Sequence, residues 1–277
     1  MCTDGQEPLA GLVQATNGEL YGTTVFGGAN RNEGTVFKIT PSGTLTTLYS
    51  FCAQSGCTDG AYPNGLVQAT NADLYGTTSS GGASSNCFNG ITGCGTVFKI
   101  TPSGTLTTLY SFCAQSGCAD GKYPAAGLVQ ATNGDFYGTT SGENFGGGAP
   151  GTVFKITPGG TLTTLYTFCS QSGCTDGEDP VAALVQAANG DLYGTTIGGG
   201  TNNSCSVLGC GTAFKITPGG TLTTLYSFCS QGGSACMEFP VRSPRWATNT
   251  GTVSRPYGSS ARDFGRVESS CTAQTPG

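Results

Sequence analysis

The sequence predicts an all-β, β-propeller-like fold of four recognisable four-stranded blades in an incomplete ring, and three observations carry that prediction. First, the stretch GTVFKITPSGTLTTLYSF at 34–51 returns almost letter for letter at 95–112, 151–168 and 211–228. Second, a companion unit precedes each copy: GLVQA at 11–15, 65–69 and 127–131, and ALVQA at 183–187, so the repeats start 54, 62 and 56 residues apart. Third, turn residues stand between the β-branched and aromatic runs, as antiparallel hairpins require.

Taken in order, each repeat holds four strands. The first is LVQA. The second is LYGTT at 20–24, 74–78 and 192–196, or FYGTT at 136–140. Asn17-Gly18, Asn133-Gly134 and Asn189-Gly190 join these two and read as a hairpin signal. Repeat two carries Asn71-Ala72 instead, a departure that the asparagine is expected to support. The third strand, TVFKIT, and the fourth, TLTTLYSF, flank Pro-Ser-Gly or Pro-Gly-Gly. There Pro41 presets φ for a type I turn and Gly43 closes it with a left-handed residue.

The face pattern supports blades stacked against one another. Phe37 and Ile39 lie opposite Val36, and Tyr49 and Phe51 oppose Leu48, so both faces are apolar, whereas a sheet wetted on one side alternates more cleanly. A parallel β-helix, the competing architecture, uses shorter coils and needs no pair of tight antiparallel turns. The expected repeats are roughly 11–64, 65–126, 127–182 and 183–236, within a domain spanning 1–236. Residues 237–277 read as an irregular tail, a degraded or frameshifted fifth repeat, since five of the six arginines and the single Trp fall at 242–266 and no LYGTT or VFKIT follows.

A meander alternates its loops between two ends. The short turns fall at one end. The inter-blade loop (52–63) and the loop between second and third strands (25–33) fall at the other, and the latter varies among repeats. Variable loops on a constant scaffold are where binding usually resides.

Composition narrows the function. The 277 residues carry 47 glycines, no histidine and a net charge of −5. With no basic stripe, nucleic acid is not an expected partner. No apolar run approaches the ~18 residues of a membrane span. Without histidine, Ser-His-Asp and Cys-His catalysis and His-ligated metals are excluded. No cofactor is expected. The run at 146–151 formally fits G-x-G-x-x-G but leads into a strand rather than a helix, so the nucleotide reading fails.

Fourteen cysteines are many for a cytosolic protein. Twelve form close pairs: Cys52/Cys57, Cys87/Cys94, Cys113/Cys118, Cys169/Cys174, Cys205/Cys210 and Cys229/Cys236. Local disulfides are the favoured reading, with free thiols and a metal site as rivals. Ribbon-type zinc sites use C-x2-C knuckles, which are missing. Cys2 and Cys271 remain unassigned. Oxidised pairs imply an extracellular or cell-surface protein. The lack of a signal peptide then implies a fragment or a mis-started reading frame.

Asp4, Asp59, Asp120 and Asp176 recur in Asp-Gly-x-x-Pro after each inter-blade cysteine. They form either a ring of carboxylates able to hold a cation or sugar hydroxyls, or ordinary turn chemistry. Tyr21, Tyr75, Tyr137 and Tyr193 suit packing between blades better than a sugar-stacking ring. Lys38, Lys99, Lys155 and Lys215 suit snorkelling better than catalysis. Glu33, Glu143, Glu178 and Asp179 lie in long loops and keep a glycosidase-like carboxylate pair open. Nothing in the sequence places two of them opposite one another.

The units GLVQATNGDLYGTT and GTVFKITPxGTLTTLYSF resemble the tandem repeat of the bacterial GloVer (choice-of-anchor) family over about residues 3–236. The resemblance implies an exported or surface-anchored protein of unassigned activity, with no catalytic residues to carry over. The cysteine pairs are an addition to that signature. The expected function is a non-catalytic binding or adhesion module for glycan or a surface protein through the long-loop face. A carbohydrate-active enzyme and a purely structural array are the alternatives. Self-association through open blade edges is also expected.

Overall fold

The computed structural model describes residues 2–87, 91–142, 150–202, 205 and 209–230. Its strands form four separate four-stranded antiparallel sheets in sequence order. The first comprises β1 (Val13–Gln14), β2 (Leu20–Thr24), β3 (Thr35–Ile39) and β4 (Leu45–Ser50). The second comprises β5 (Ala61–Gln68), β6 (Leu74–Ser80), β7 (Thr96–Ile100) and β8 (Leu106–Ser111). The third comprises β9 (Val129–Gln130), β10 (Phe136–Thr140), β11 (Thr152–Ile156) and β12 (Leu162–Thr167). The fourth comprises β13 (Val185–Gln186), β14 (Leu192–Thr196), β15 (Thr212–Ile216) and β16 (Leu222–Ser227). The fold is all-β and propeller-like. Met1–Glu238 form one compact unit, and the tail expectation at 237–277 lies outside the described residues.

Register repeats from blade to blade. Gly22 pairs with Phe37, Gly76 with Phe98, Gly138 with Phe154 and Gly194 with Phe214. The Phe ring lies over the glycine, where a Cβ would come within 2.7 Å of it in the first two blades. A bulge between Val36 and Phe37, repeated in every blade, shifts the third strand against the fourth and increases its twist.

The core lies between blades. The forward face of each blade carries Tyr21, Val36 and Phe51 or their equivalents; the back face carries Leu66, Leu74, Phe98 and Ile100 or theirs. These faces meet in three clusters, between blades one and two, two and three, and three and four. Phe51 sits edge-on to Phe98 at 5.2 Å between ring centroids, Phe112 to Phe154 at 5.1 Å and Phe168 to Phe214 at 5.1 Å. This is why apolar residues occupy both faces of the strands. Polar latches accompany the rings: the Thr16, Thr70 and Thr132 amides donate to the Gln68, Gln130 and Gln186 side chains of the next blade.

The Asn-Gly expectation needs one correction. Each β1–β2 type connection is a three-residue loop rather than a two-residue hairpin turn, with Gly18 donating to the Ala15 carbonyl and Ala15 to Glu19. The last loop residue takes the left-handed conformation, φ 83° at Gly18 and φ 69° at Ala72. In repeat two the alanine, not Asn71, bears that conformation.

Candidate functional site

The long loops gather at one end of each blade, and three devices shape that rim. The first is the inter-blade loop, which turns through a short 3₁₀ segment at Ser55–Cys57, Ser116–Cys118 and Ser172–Cys174. Asp59, Asp120 and Asp176 sit inside these loops with no exposed surface. Asp59 accepts from the Tyr49 hydroxyl at 2.8 Å, from Ala53 N–H at 2.9 Å and from Gln54 N–H at 3.2 Å. Asp120 repeats the pattern with Tyr110, Ala114 and Gln115. Asp176 repeats it with Tyr166, Ser170 and Gln171, and adds the Ser170 hydroxyl.

Of the two readings of Asp-Gly-x-x-Pro, the geometry favours turn chemistry. The three carboxylates are fully buried and bonded within their own loops. Asp4 is exposed, and no tyrosine donates to it among the described residues. Sequence reasoning missed the tyrosine partner, although a signal was present: Tyr49, Tyr110 and Tyr166 each precede their aspartate by ten residues. Burial, and then the neighbouring carboxylate, hold Tyr49 and Tyr110 well above the ordinary phenol pKa.

The second device is the residue before the recurrent proline of each repeat (Pro8, Pro63, Pro124 and Pro180). Glu7, Tyr62, Tyr123 and Asp179 all take positive φ, between 56° and 57°. That is a costly region for non-glycine residues, and doubly so before proline. Hydrogen bonds to the adjoining loop hold it in place. Tyr62 N–H donates to the Glu33 carbonyl at 2.9 Å and Tyr123 N–H to the Cys94 carbonyl at 2.8 Å. Val25, Ser141 and Ile197 amides return bonds to the carbonyls of Glu7, Tyr123 and Asp179. One backbone conformation thus recurs at four positions whose side chains differ in charge, shape and exposure, Glu7 being exposed and Tyr123 and Asp179 buried.

The third device is the cysteine pairs. Cys52–Cys57, Cys87–Cys94, Cys113–Cys118, Cys169–Cys174 and Cys205–Cys210 are disulfides. The Cys229/Cys236 expectation lies outside the described residues, as does Cys271, because Cys236 and Cys271 are not among them. Cys2 is exposed. The sulfurs of Cys87, Cys94 and Cys113 lie within 4.8 Å of one another, as do those of Cys205, Cys210 and Cys229. A sulfur held in a disulfide is not the thiolate that a metal needs.

The acidic loop residues divide. Glu33 is 8 % exposed, and its Oε2 has no hydrogen-bond partner. Burial raises its pKa, against the lowering influence of the Tyr62 hydroxyl and Arg31. Glu178 is also buried and raised, first by burial and then by neighbouring Asp179. These groups belong to the first- and fourth-blade rims respectively, and Glu143 is outside the described residues.

The remaining motifs are structural. Tyr21, Tyr75 and Tyr137 are buried between blades, and each hydroxyl accepts from an Asn side chain of its own β1–β2 type loop. Lys38 pairs with Glu19 at 2.9 Å, and Lys99, Lys155 and Lys215 pair with Asp73, Asp135 and Asp191.

Comparison with known proteins adds the following. The family model of the Gloeobacter/Verrucomicrobia repeat matches residues 1–174 and again 86–257. No curated protein matches the sequence. Among solved structures, one described as a gluconolactonase aligns at TM-score 0.44 and 15 % identity, covering 77 % of this chain and 61 % of its own. PorZ, a bacterial surface component of the type-IX secretion system of Porphyromonas gingivalis, aligns at TM-score 0.45 and 14 % identity, over 78 % of this chain and 26 % of its own. An α-L-arabinofuranosidase of Clostridium thermocellum aligns at TM-score 0.43 and 14 % identity, over 79 % and 71 %. The chain therefore spans less than two thirds of the first two.

Proposed function

This chain belongs to the Gloeobacter/Verrucomicrobia repeat family, and we propose on that footing that it is a non-catalytic binding module working outside the cytoplasm. It engages glycan, or another surface protein, through the rim of long loops. One observation carries the reading. The loop frame is the same in successive blades, pinned by the Asp59–Tyr49 bond and its copies, while the neighbouring loops between second and third strands, at 25–33, 79–94, 141–150 and 197–210, differ in length and sequence. A rigid frame with variable tips lowers the ordering cost of binding, which is what a recognition surface needs.

Five disulfides favour an oxidising compartment. Among the described residues no helix is long and apolar enough to cross a membrane.

A second reading rests on Glu33. A buried carboxyl with raised pKa beside a tyrosine hydroxyl is the kind of group that donates a proton in glycoside cleavage.

One assay separates the two. Oxidised protein is passed over immobilised polysaccharides, and retention and new reducing ends are scored together. Saturable retention without new ends supports the binding module. New reducing ends that disappear in Glu33→Gln overturn it in favour of the enzyme, and absence of retention on every polysaccharide removes glycan as the ligand.

A further inference from the structure

The three inter-blade interfaces repeat closely enough to define what each face expects to meet. On the forward face, Phe51 and Phe112 are fully buried and Phe168 is 1 % exposed; in the fourth blade the equivalent Phe228 is 43 % exposed. Leu225 of β16, and Val185 of β13 at the other edge of that sheet, are 51 % and 65 % exposed. On the back face, Leu66, Leu128 and Leu184 are 9 %, 6 % and 3 % exposed, whereas Leu12 of the first blade is 52 % exposed and Leu45 is 42 %. The large apolar side chains left in water thus concentrate on two surfaces: the forward face of blade four and the back face of blade one. Exposed apolar faces of this kind mark interaction sites.

The two surfaces are complementary halves of one interface, and three further details match. At each internal interface the Pro-x-Gly turn of one blade rests on the fourth strand of the blade before it. A Cβ on Gly104, Gly160 or Gly220 would lie 2.8 Å from the carbonyl of Leu48, Leu109 or Leu165. Gly43, the same residue in blade one, has nothing within 4 Å. The amide latch is likewise split: Gln14 holds no amide of a preceding blade, and Ala188 donates to no following glutamine, among the described residues. Finally, the Thr23, Thr77 and Thr139 hydroxyls donate to the carbonyls of Asn64, Ala126 and Ala182 in the next blade, while Thr195 stands exposed. One position is trimmed, Ala213 standing where the other blades have Val36, Val97 and Val153.

We propose that this chain associates head to tail with a second copy of itself, the forward face of blade four docking on the back face of blade one through the contacts that join its own blades. The contact is heterologous, so it closes into a ring or runs on as a polymer according to the rotation it imposes. Two copies bring eight blades, within the range that closed propellers use. This differs from edge-to-edge strand pairing, because sheet faces, not strand edges, make the contact.

Sedimentation velocity on the full oxidised chain tests it. The expected mass at high micromolar concentration is twice the 27.9 kDa of one chain. Phe228→Glu and Leu12→Glu, each at a solvent-exposed site, are expected to give single chains with unchanged circular dichroism. Mixing the two variants restores association, because each chain retains the face that the other has lost; edge pairing or like-with-like contact gives no such rescue. A longer concentration-dependent series abolished by the same substitutions also supports the head-to-tail contact. Should the Phe228 variant unfold, Val185→Lys replaces it. A wild-type chain that stays at 27.9 kDa, as when residues 237–277 cover the face in cis, overturns the proposal, and so does a mixture that fails to associate.

Discussion

The Tyr49 hydroxyl donates to a fully buried carboxylate, that of Asp59, across 2.8 Å, and so ties the last strand of the first blade to the loop that leads into the second. The same bond recurs from Tyr110 to Asp120 and from Tyr166 to Asp176. With no exposed surface on any of the three carboxylates, the bond acts as a structural joint between blades.

Removing the joint from the donor side is therefore costly. Tyr49→Phe leaves the carboxylate with only its two backbone donors, and a hydrogen bond to a charged group is worth about 1.5–3 kcal/mol. The loss is read in urea unfolding at neutral pH. The joint also has an alkaline limit. Tyr49 has a folded-state pKa above its unfolded value near ~10, so its stabilisation is complete below that pH and declines as pH climbs beyond it. Wild type is expected to lose stability through this alkaline window, and Tyr49→Phe is expected to flatten that part of the profile. A Tyr49→Phe profile identical to wild type refutes the assignment.

Glu33 has the opposite consequence at neutral pH. Burial raises its folded pKa, so stability is highest while the unfolded-state carboxyl is still protonated and falls as pH rises through the window between unfolded and folded values. Glu33→Gln removes the ionisation and keeps an oxygen for the Tyr62 hydroxyl. The variant is expected to be more stable than wild type at neutral pH, with the difference shrinking as pH falls toward ~4, the ordinary glutamate range. Parallel denaturation curves across acid pH check this.

The β1–β2 type loops offer a test with opposite signs at equivalent positions. Ala72 holds φ 69°, while Gly134 holds φ 86° in the next blade with open space where a Cβ would stand. A left-handed alanine costs roughly 1–2 kcal/mol, partly offset by the greater unfolded-state freedom of glycine. Ala72→Gly is therefore expected to stabilise by about 0.5–1 kcal/mol and Gly134→Ala to destabilise by a similar amount. Equal signs for the two changes contradict this.

Much of the fold was legible because the physics repeats with the letters. Val36 and Phe37 are both apolar neighbours in a strand, which only a sheet covered on both sides accommodates. The site was less legible. Asp59 belongs to a motif that reads as turn or ligand until Tyr49 is seen to reach it, and the recurrent ten-residue spacing between them matches neither the strand nor the helix period. Nor does sequence suggest that Tyr62 and Tyr123, each before a proline, adopt left-handed backbone. Local preference points the other way, and inter-loop hydrogen bonds to Glu33 and Cys94 override it.

The end blades give the final comparison, between two phenylalanines with the same neighbours in sequence and opposite surroundings. Phe112 is fully buried and packs edge-on to Phe154 at 5.1 Å, so Phe112→Ala opens a cavity between blades two and three and is expected to cost about 3–5 kcal/mol. Phe228 occupies the equivalent place in blade four but is 43 % exposed, and it sits edge-on to Tyr226 of its own blade at 5.4 Å. Measured at dilution, where a single chain is the unit that unfolds, Phe228→Ala is expected to cost under about 1 kcal/mol. At higher concentration the wild-type midpoint rises with protein concentration if the face is covered by a second copy, and the Phe228→Ala midpoint does not, since native-state association couples stability to concentration and the substitution removes that association. A large, concentration-independent loss at Phe228 instead places an intramolecular partner on that face.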